Sequence, residues 1–166
     1  MDDLLRSCVW HAEKRFRRHG NFPAVLWLSE KSDGHRQLFE TECVASDPAT
    51  DQELLEALAE EMHEDFAIAG IVRFAVAYLG NRVTKIRPLD PNSSMRPKTT
   101  RVKGVVIELH GVAEPVRLFR QIIRPSRGQP VLAAACQLDP PTDSPYADVL
   151  ARTTTSCTND AVATVH

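Results

Sequence analysis

Apolar residues at Leu5, Cys8, Val9, Ala12 and Phe16 recur at helical spacing, and Gly20 closes the pattern after a basic last turn of Lys14, Arg15, Arg17, Arg18 and His19. That spacing predicts a first helix, with cations placed favourably at the negative end of its dipole. The runs Ala24–Ser29 and Arg36–Cys43 flank Lys31-Ser32-Asp33-Gly34, where Asp-Gly supplies the positive φ of a hairpin turn. Thr50-Asp51-Gln52-Glu53 reads as a capping box. It opens a second helix whose stripe is Leu54, Leu55, Leu58, Ala59, Met62 and Phe66 and which ends near Gly70.

From Val72 the period shortens to that of a strand. The expected strands are Val72–Leu79, then Arg82–Ile86 after a turn at Gly80-Asn81, then Val102–His110, Val116–Arg124 and Val131–Leu138. Arg87–Thr100 contains Pro88, Pro91 and Pro97 and is expected to be a long loop. Tyr146–Arg152 is a candidate short helix. Tight links force antiparallel pairing. The expectation is an α+β fold in the order α-β-β-α-β-β-β-β-β, with one antiparallel or mixed sheet of about six or seven strands and both helices packed on one face. Residues 1–152 are expected to form a single domain, and residues 153–166 a disordered tail.

Charge is sorted along the chain. Met1–Gly70 holds seven Lys/Arg against fifteen Asp/Glu, a formal −8, whereas Ile71–Arg127 holds twelve Lys/Arg against three Asp/Glu, a formal +9. The total of −2 conceals this basic middle. Two explanations compete: an acidic helix and basic strands neutralising one another inside one fold, or a surface built for an anionic partner. Composition is that of an ordinary globular protein with no need of disulfides. Cys8, Cys43, Cys136 and Cys157 are scattered without a Cys-x-x-Cys pair and read as reduced thiols. The acidic opening, broken by Arg6, Ser7 and His11, does not resemble a signal peptide, and no apolar run reaches the roughly 20 residues of a membrane span. A cytoplasmic protein is expected, with no membrane partner.

Tests for catalytic signatures return little. The seven glycines are too dispersed for a phosphate-cradling loop, and no Gly-x-Ser-x-Gly elbow exists. Glu60 and His63 are spaced to share a helix face, but a carboxylate-bridged metal centre needs a second such pair, so they are read as a solvated flank. Glu108 and His110 share a strand face near its end and are read as surface groups. No catalytic residue, metal or cofactor is assigned. The anion-binding candidates are Arg73, Arg82, Lys85, Arg101, Lys103, Arg117, Arg120 and Arg124.

The basic helix end before Gly20, the hairpin at Ser32-Asp33-Gly34 and the Ala75-Val76-Ala77-Tyr78 strand are similar to features of a group of small uncharacterised bacterial proteins, mostly proteobacterial. So are Ile123-Arg124-Pro125 leading into Gly128 and Pro130, and Tyr146-Ala147-Asp148-Val149-Leu150. Where those proteins carry a Glu-Ala-Trp-like segment, this chain has Ala77-Tyr78-Leu79. The resemblance implies no activity or cofactor. The functional expectation is a non-catalytic interaction or ligand-binding module, with a protein partner or self-association through an exposed strand edge placed first. Nucleic-acid or polyanion binding through residues 71–127 is the alternative, and an enzyme of unrecognised type the third.

Overall fold

The computed structural model describes residues 1–23, 25–41 and 52–150. Parts of the expected capping box and of the strand reaching Cys43, the end of the helix expected at Tyr146–Arg152, and all of residues 153–166 lie outside the described residues. The elements run α1 (Asp3–His19), β1 (Val25–Lys31), β2 (Arg36–Glu40), α2 (Gln52–Ala69), β3 (Ile71–Ile86), β4 (Lys98–His110), β5 (Val116–Ile123), β6 (Val131–Leu132) and β7 (Cys136–Leu138). They form an α+β fold around one open, antiparallel sheet of seven strands, ordered β2-β1-β3-β4-β5-β6, with β7 also paired to β5.

Local chemistry sets the helix ends. Asp2 caps α1, its carboxylate accepting the Leu4 and Leu5 amides at 2.8 and 3.3 Å. Gly20 ends the helix in the left-handed conformation, φ +64°, and donates to the Phe16 carbonyl. The β1–β2 turn uses Gly34 at φ +82°, with Asp33 accepting the His35 amide at 2.9 Å.

The helices lie on opposite faces of the sheet, which corrects the expectation that both share one. Leu4, Leu5, Cys8, Ala12 and Phe16 of α1 pack with Leu26, Leu28, Ala75, Ala77, Leu79, Val105, Ile107 and Leu109. Leu55, Ala59, Met62 and Phe66 of α2 pack with Val25, Phe74, Val76, Tyr78, Val106 and Phe119. The two strand sets alternate residue by residue, so they point to opposite sides. A sheet with one bare face would show alternating polarity in its central strands. Phe74–Leu79 is instead apolar at every position, the signature of a strand covered on both faces.

A second correction concerns Gly80-Asn81, which is not a turn. β3 runs straight through it, and β3 and β4 pair without a break from Phe74↔His110 to Ile86↔Lys98. The turn falls later, within residues 87–97. β4 therefore begins at Lys98, and Lys98–Thr100 belong to the strand, not to the loop that the prolines predict. The single last strand expected at Val131–Leu138 is two short ones.

Gly80 and Gly104 face each other across this ladder. A Cβ on Gly104 would lie 2.4 Å from the Phe119 ring and 2.5 Å from the Arg120 carbonyl oxygen, because Phe119 lies against the bare backbone there. Gly104→Ala is expected to destabilise the fold by about 1–3 kcal/mol through overpacking. Urea denaturation checks this, since the midpoint should fall relative to the parent protein.

Candidate functional site

Two places combine charge with unusual geometry: a buried carboxylate on the α2 face of the sheet, and the far end of the β3–β4 hairpin.

Register builds the first. Glu108 of β4 stands between Val76 of β3 and Arg117 of β5, with His110 two residues on along the same face. Its side chain is fully buried and accepts from four donors. Tyr78 Oη and Arg117 Nε each lie 2.8 Å from Oε1. Ser144 Oγ lies 2.6 Å and His110 Nε2 2.9 Å from Oε2. Arg117 also pairs with Asp143 at 2.7 Å, and Ser144 Oγ accepts the Tyr146 amide at 3.2 Å. The His110 ring stacks on Phe74, while fully buried Tyr146 packs against Tyr78. Farther along, the Val149 carbonyl lies 2.8 Å from His63 Nδ1. Glu108 thus fastens the segment after Pro140-Pro141 to the sheet.

The electrostatics agree with a filled site. Burial pushes the Glu108 carboxyl up, but hydrogen bonds from His110, Ser144 and Tyr78 and the His110 charge outweigh it and hold the group below its ordinary value. Burial and the adjoining Glu108 charge push the Tyr78 phenol far up, so it stays a donor. Burial pushes the Arg117 guanidinium down, and Glu108 and Asp143 more than offset it.

Sequence reading placed Glu108 and His110 on the surface; the structure corrects this, since both are buried. The arrangement is unlike a nucleophilic triad, where an imidazole stands between hydroxyl and carboxylate. Here Ser144 and His110 both bond the carboxylate, and among the described residues no base other than Glu108 itself meets the Ser144 hydroxyl. A cavity of about 330 Å³ adjoins the cluster, lined by Tyr78, Asn81, Arg117, Asp143 and Ser144 among others. A neighbouring cleft of about 440 Å³ counts Glu60 and His63 among its lining residues. Among the described residues no group of three or more His, Cys, Asp or Glu side chains is placed to hold a metal ion.

The predicted anion-binding residues divide. Arg73 and Arg120 face α1 and are neutralised internally: Arg73 bonds buried Glu30 and pairs with Asp2 at 3.0 Å, and Arg120 pairs with Glu13 at 3.0 Å. Arg117 is held by Glu108 and Asp143. The acids that pair with these arginines come from α1, the strands and the 140–150 segment. Arg124 follows β5 and is exposed.

Arg82, Lys85, Arg101 and Lys103 lie elsewhere, on the hairpin beyond the Gly80–Gly104 rung. There β1 has ended its pairing at Tyr78 and β5 at Gly104, so residues 81–103 project as a two-stranded arm whose outer edges pair with no other strand among the described residues, and Arg82 at its base donates to the Cys136 Sγ at 3.2 Å. The arm holds seven Lys/Arg and one Asp. Its strand residues are exposed or half-exposed throughout. Arg87, Arg96 and Lys98 belong to the same arm and were missed, although a seven-to-one charge ratio over 23 residues was visible in the sequence. All three fall in the 87–100 stretch that its prolines predict to be a loop, which sets them apart from the strand cations.

No family model, curated protein or solved structure matches the chain. Among the described residues no helix is long and apolar enough to cross a membrane.

The Glu108 clamp has a pH signature. Its folded value lies below the ordinary 4.5, so its stabilisation is complete above that value and is lost as pH falls through the lower folded one. Glu13, Glu30 and Asp143 are shifted the same way by hydrogen bonds from Arg120, Arg73 and Arg117, working against burial. Urea denaturation from about pH 8 down to about pH 3 should show stability falling only below about pH 5. Glu108→Gln should cost about 3 kcal/mol at neutral pH, by leaving Arg117 and His110 without the charge they face, and should flatten the acid limb.

Proposed function

We propose that this protein is a non-catalytic interaction module that engages a polyanionic partner through the β3–β4 arm. The observation that carries this reading is the contrast between the strand arginines of the body and the cations of the arm. Arg73, Arg117 and Arg120 are each matched by a carboxylate within 3.0 Å. Lys85, Arg87, Arg96, Lys98 and Arg101 form no ion pair among the described residues, although together they carry five charges on one slender projection. Like charges held close together repel one another, and an anionic partner relieves that repulsion. The body of the protein serves as a stiff mount: the arm continues a ladder whose other half is buried on both faces.

The same reading retains a cytoplasmic location; among the described residues Cys8 and Cys136 form no disulfide. Cys8 is fully buried, and burial pushes its thiol up to about 12, which keeps it protonated and unreactive.

Retention of the full chain on immobilised heparin tests the proposal. The parent protein should bind at low salt and elute as salt rises, while the triple variant Lys85→Glu, Lys98→Glu, Arg101→Glu should pass through with an unchanged melting curve. Equal retention of the two proteins would contradict it.

A further inference from the structure

We infer that the polyanion is duplex DNA and that the arm lies along its major groove. This rests on the reading of the arm as a polyanion-binding element and goes further by naming the partner.

The distribution of cations over the arm is the first observation. Directly opposed residues of an antiparallel pair share a face, and alternate residues change face. Opposition of Val83 to Arg101 and of Lys85 to Thr99 places Lys85 and Arg101 on the face that α1 covers farther back. Lys98, opposite Ile86, lies on the other face, as does Arg82, opposite Val102; the Arg82 guanidinium donates to the Cys136 Sγ at 3.2 Å. A flat partner such as a bilayer or an acidic protein surface meets one face of a ribbon and leaves the other unused. A partner that surrounds the ribbon meets both. The major groove does so, because its two walls are both lined with phosphates.

Dimensions are the second. The six residues from Asn81 to Ile86 extend about 20 Å at about 3.3 Å per residue. That length matches about six base pairs at 3.4 Å each. The B-form major groove, about 12 Å wide, admits a two-stranded ribbon. The A-form major groove of duplex RNA is too narrow and deep for one, which separates DNA from RNA on shape alone.

The third is what stands between the cations. Asn81, Thr99 and Thr100 are exposed on the arm, short polar side chains of the kind that bond phosphate oxygens and base edges. Leu89, fully exposed, and Met95, more than half exposed, lie in the connecting loop beside Pro88, Pro91 and Pro97. Apolar groups there have thymine methyls as natural contacts within the groove.

Fluorescence anisotropy with the full chain tests this, using labelled duplex DNA of about 20 base pairs, duplex RNA of the same sequence, and heparin as competitor. The expected result is DNA binding at low salt, at least about tenfold tighter than RNA binding. With five arm cations engaged, log K should fall against log salt with a slope of about −4 to −5; Lys85→Ala with Arg101→Ala should make that slope shallower by about 2. DNA with bulky substituents at the pyrimidine C5 positions, which face the major groove, should bind at least about tenfold more weakly. Equal affinity for DNA, RNA and heparin, with arm variants weakening all three, would overturn the DNA assignment and leave the polyanion reading standing. Indifference to the C5 substituents would overturn the major-groove placement. Failure to bind any of the three, or binding untouched by arm substitutions, would overturn both readings together.

Discussion

The unbroken β3–β4 ladder is the constraint on which the rest of the structure depends. Thirteen consecutive pairs run from Phe74↔His110 to Ile86↔Lys98. The inner half is closed by α1 on one face and α2 on the other, and by β1 and β5 along its edges. The outer half has none of these covers. An isolated two-stranded ribbon is at best marginally stable in water. This one inherits its register from a buried ladder, where a one-residue slip would turn Phe74, Val76 and Tyr78 away from α2 and place Ala75, Ala77 and Leu79 there instead. A single element thus serves as the centre of the core and as an extended arm.

Charge follows the same division. Within the covered half, cations are fixed by carboxylates that hydrogen bonds hold ionised. Glu108 joins the 140–150 segment to the sheet on one side, and buried Glu30 joins β1, β2 and β3 on the other through Arg36 and Arg73. Asp2 and Asp3 extend that second network to the start of α1 by pairing with Arg73 and Arg36. Such networks are costly to break by losing one member, since the remaining charge stays partly desolvated. In the uncovered half Lys85, Arg87, Arg96, Lys98 and Arg101 form no ion pair among the described residues. The near-neutral total of −2 thus combines an arm of formal charge +6 with a remainder of −8.

Much of the architecture was legible in the sequence because it rests on local signals. Helical spacing and the Gly20 cap gave α1, the Leu54–Phe66 stripe gave α2, and Asp33-Gly34 gave the first hairpin. Gly80-Asn81 misled because glycine followed by asparagine is a frequent turn signal, whereas here glycine makes room for packing: Val106 stands over Gly80 and Phe119 over its partner Gly104. That contact depends on strand pairing and has no local signature. The opposite placement of the helices was available from the unbroken apolar run Phe74–Leu79. The Glu108 cluster was not, because Tyr78, Arg117 and Ser144 converge from three separate elements and only the register brings them within bonding distance.

The central claim is that the projecting half of the hairpin is the part of the molecule that touches its partner. Assigned amide NMR spectra of the full chain, recorded during titration with duplex DNA, locate the contact residue by residue. Shifts concentrated at residues 81–103, with the α1 and α2 amides unmoved, are the predicted outcome. Shifts concentrated instead on Trp10–Arg18 of α1 or around the cavity beside Arg117, with the arm unchanged, would contradict the account.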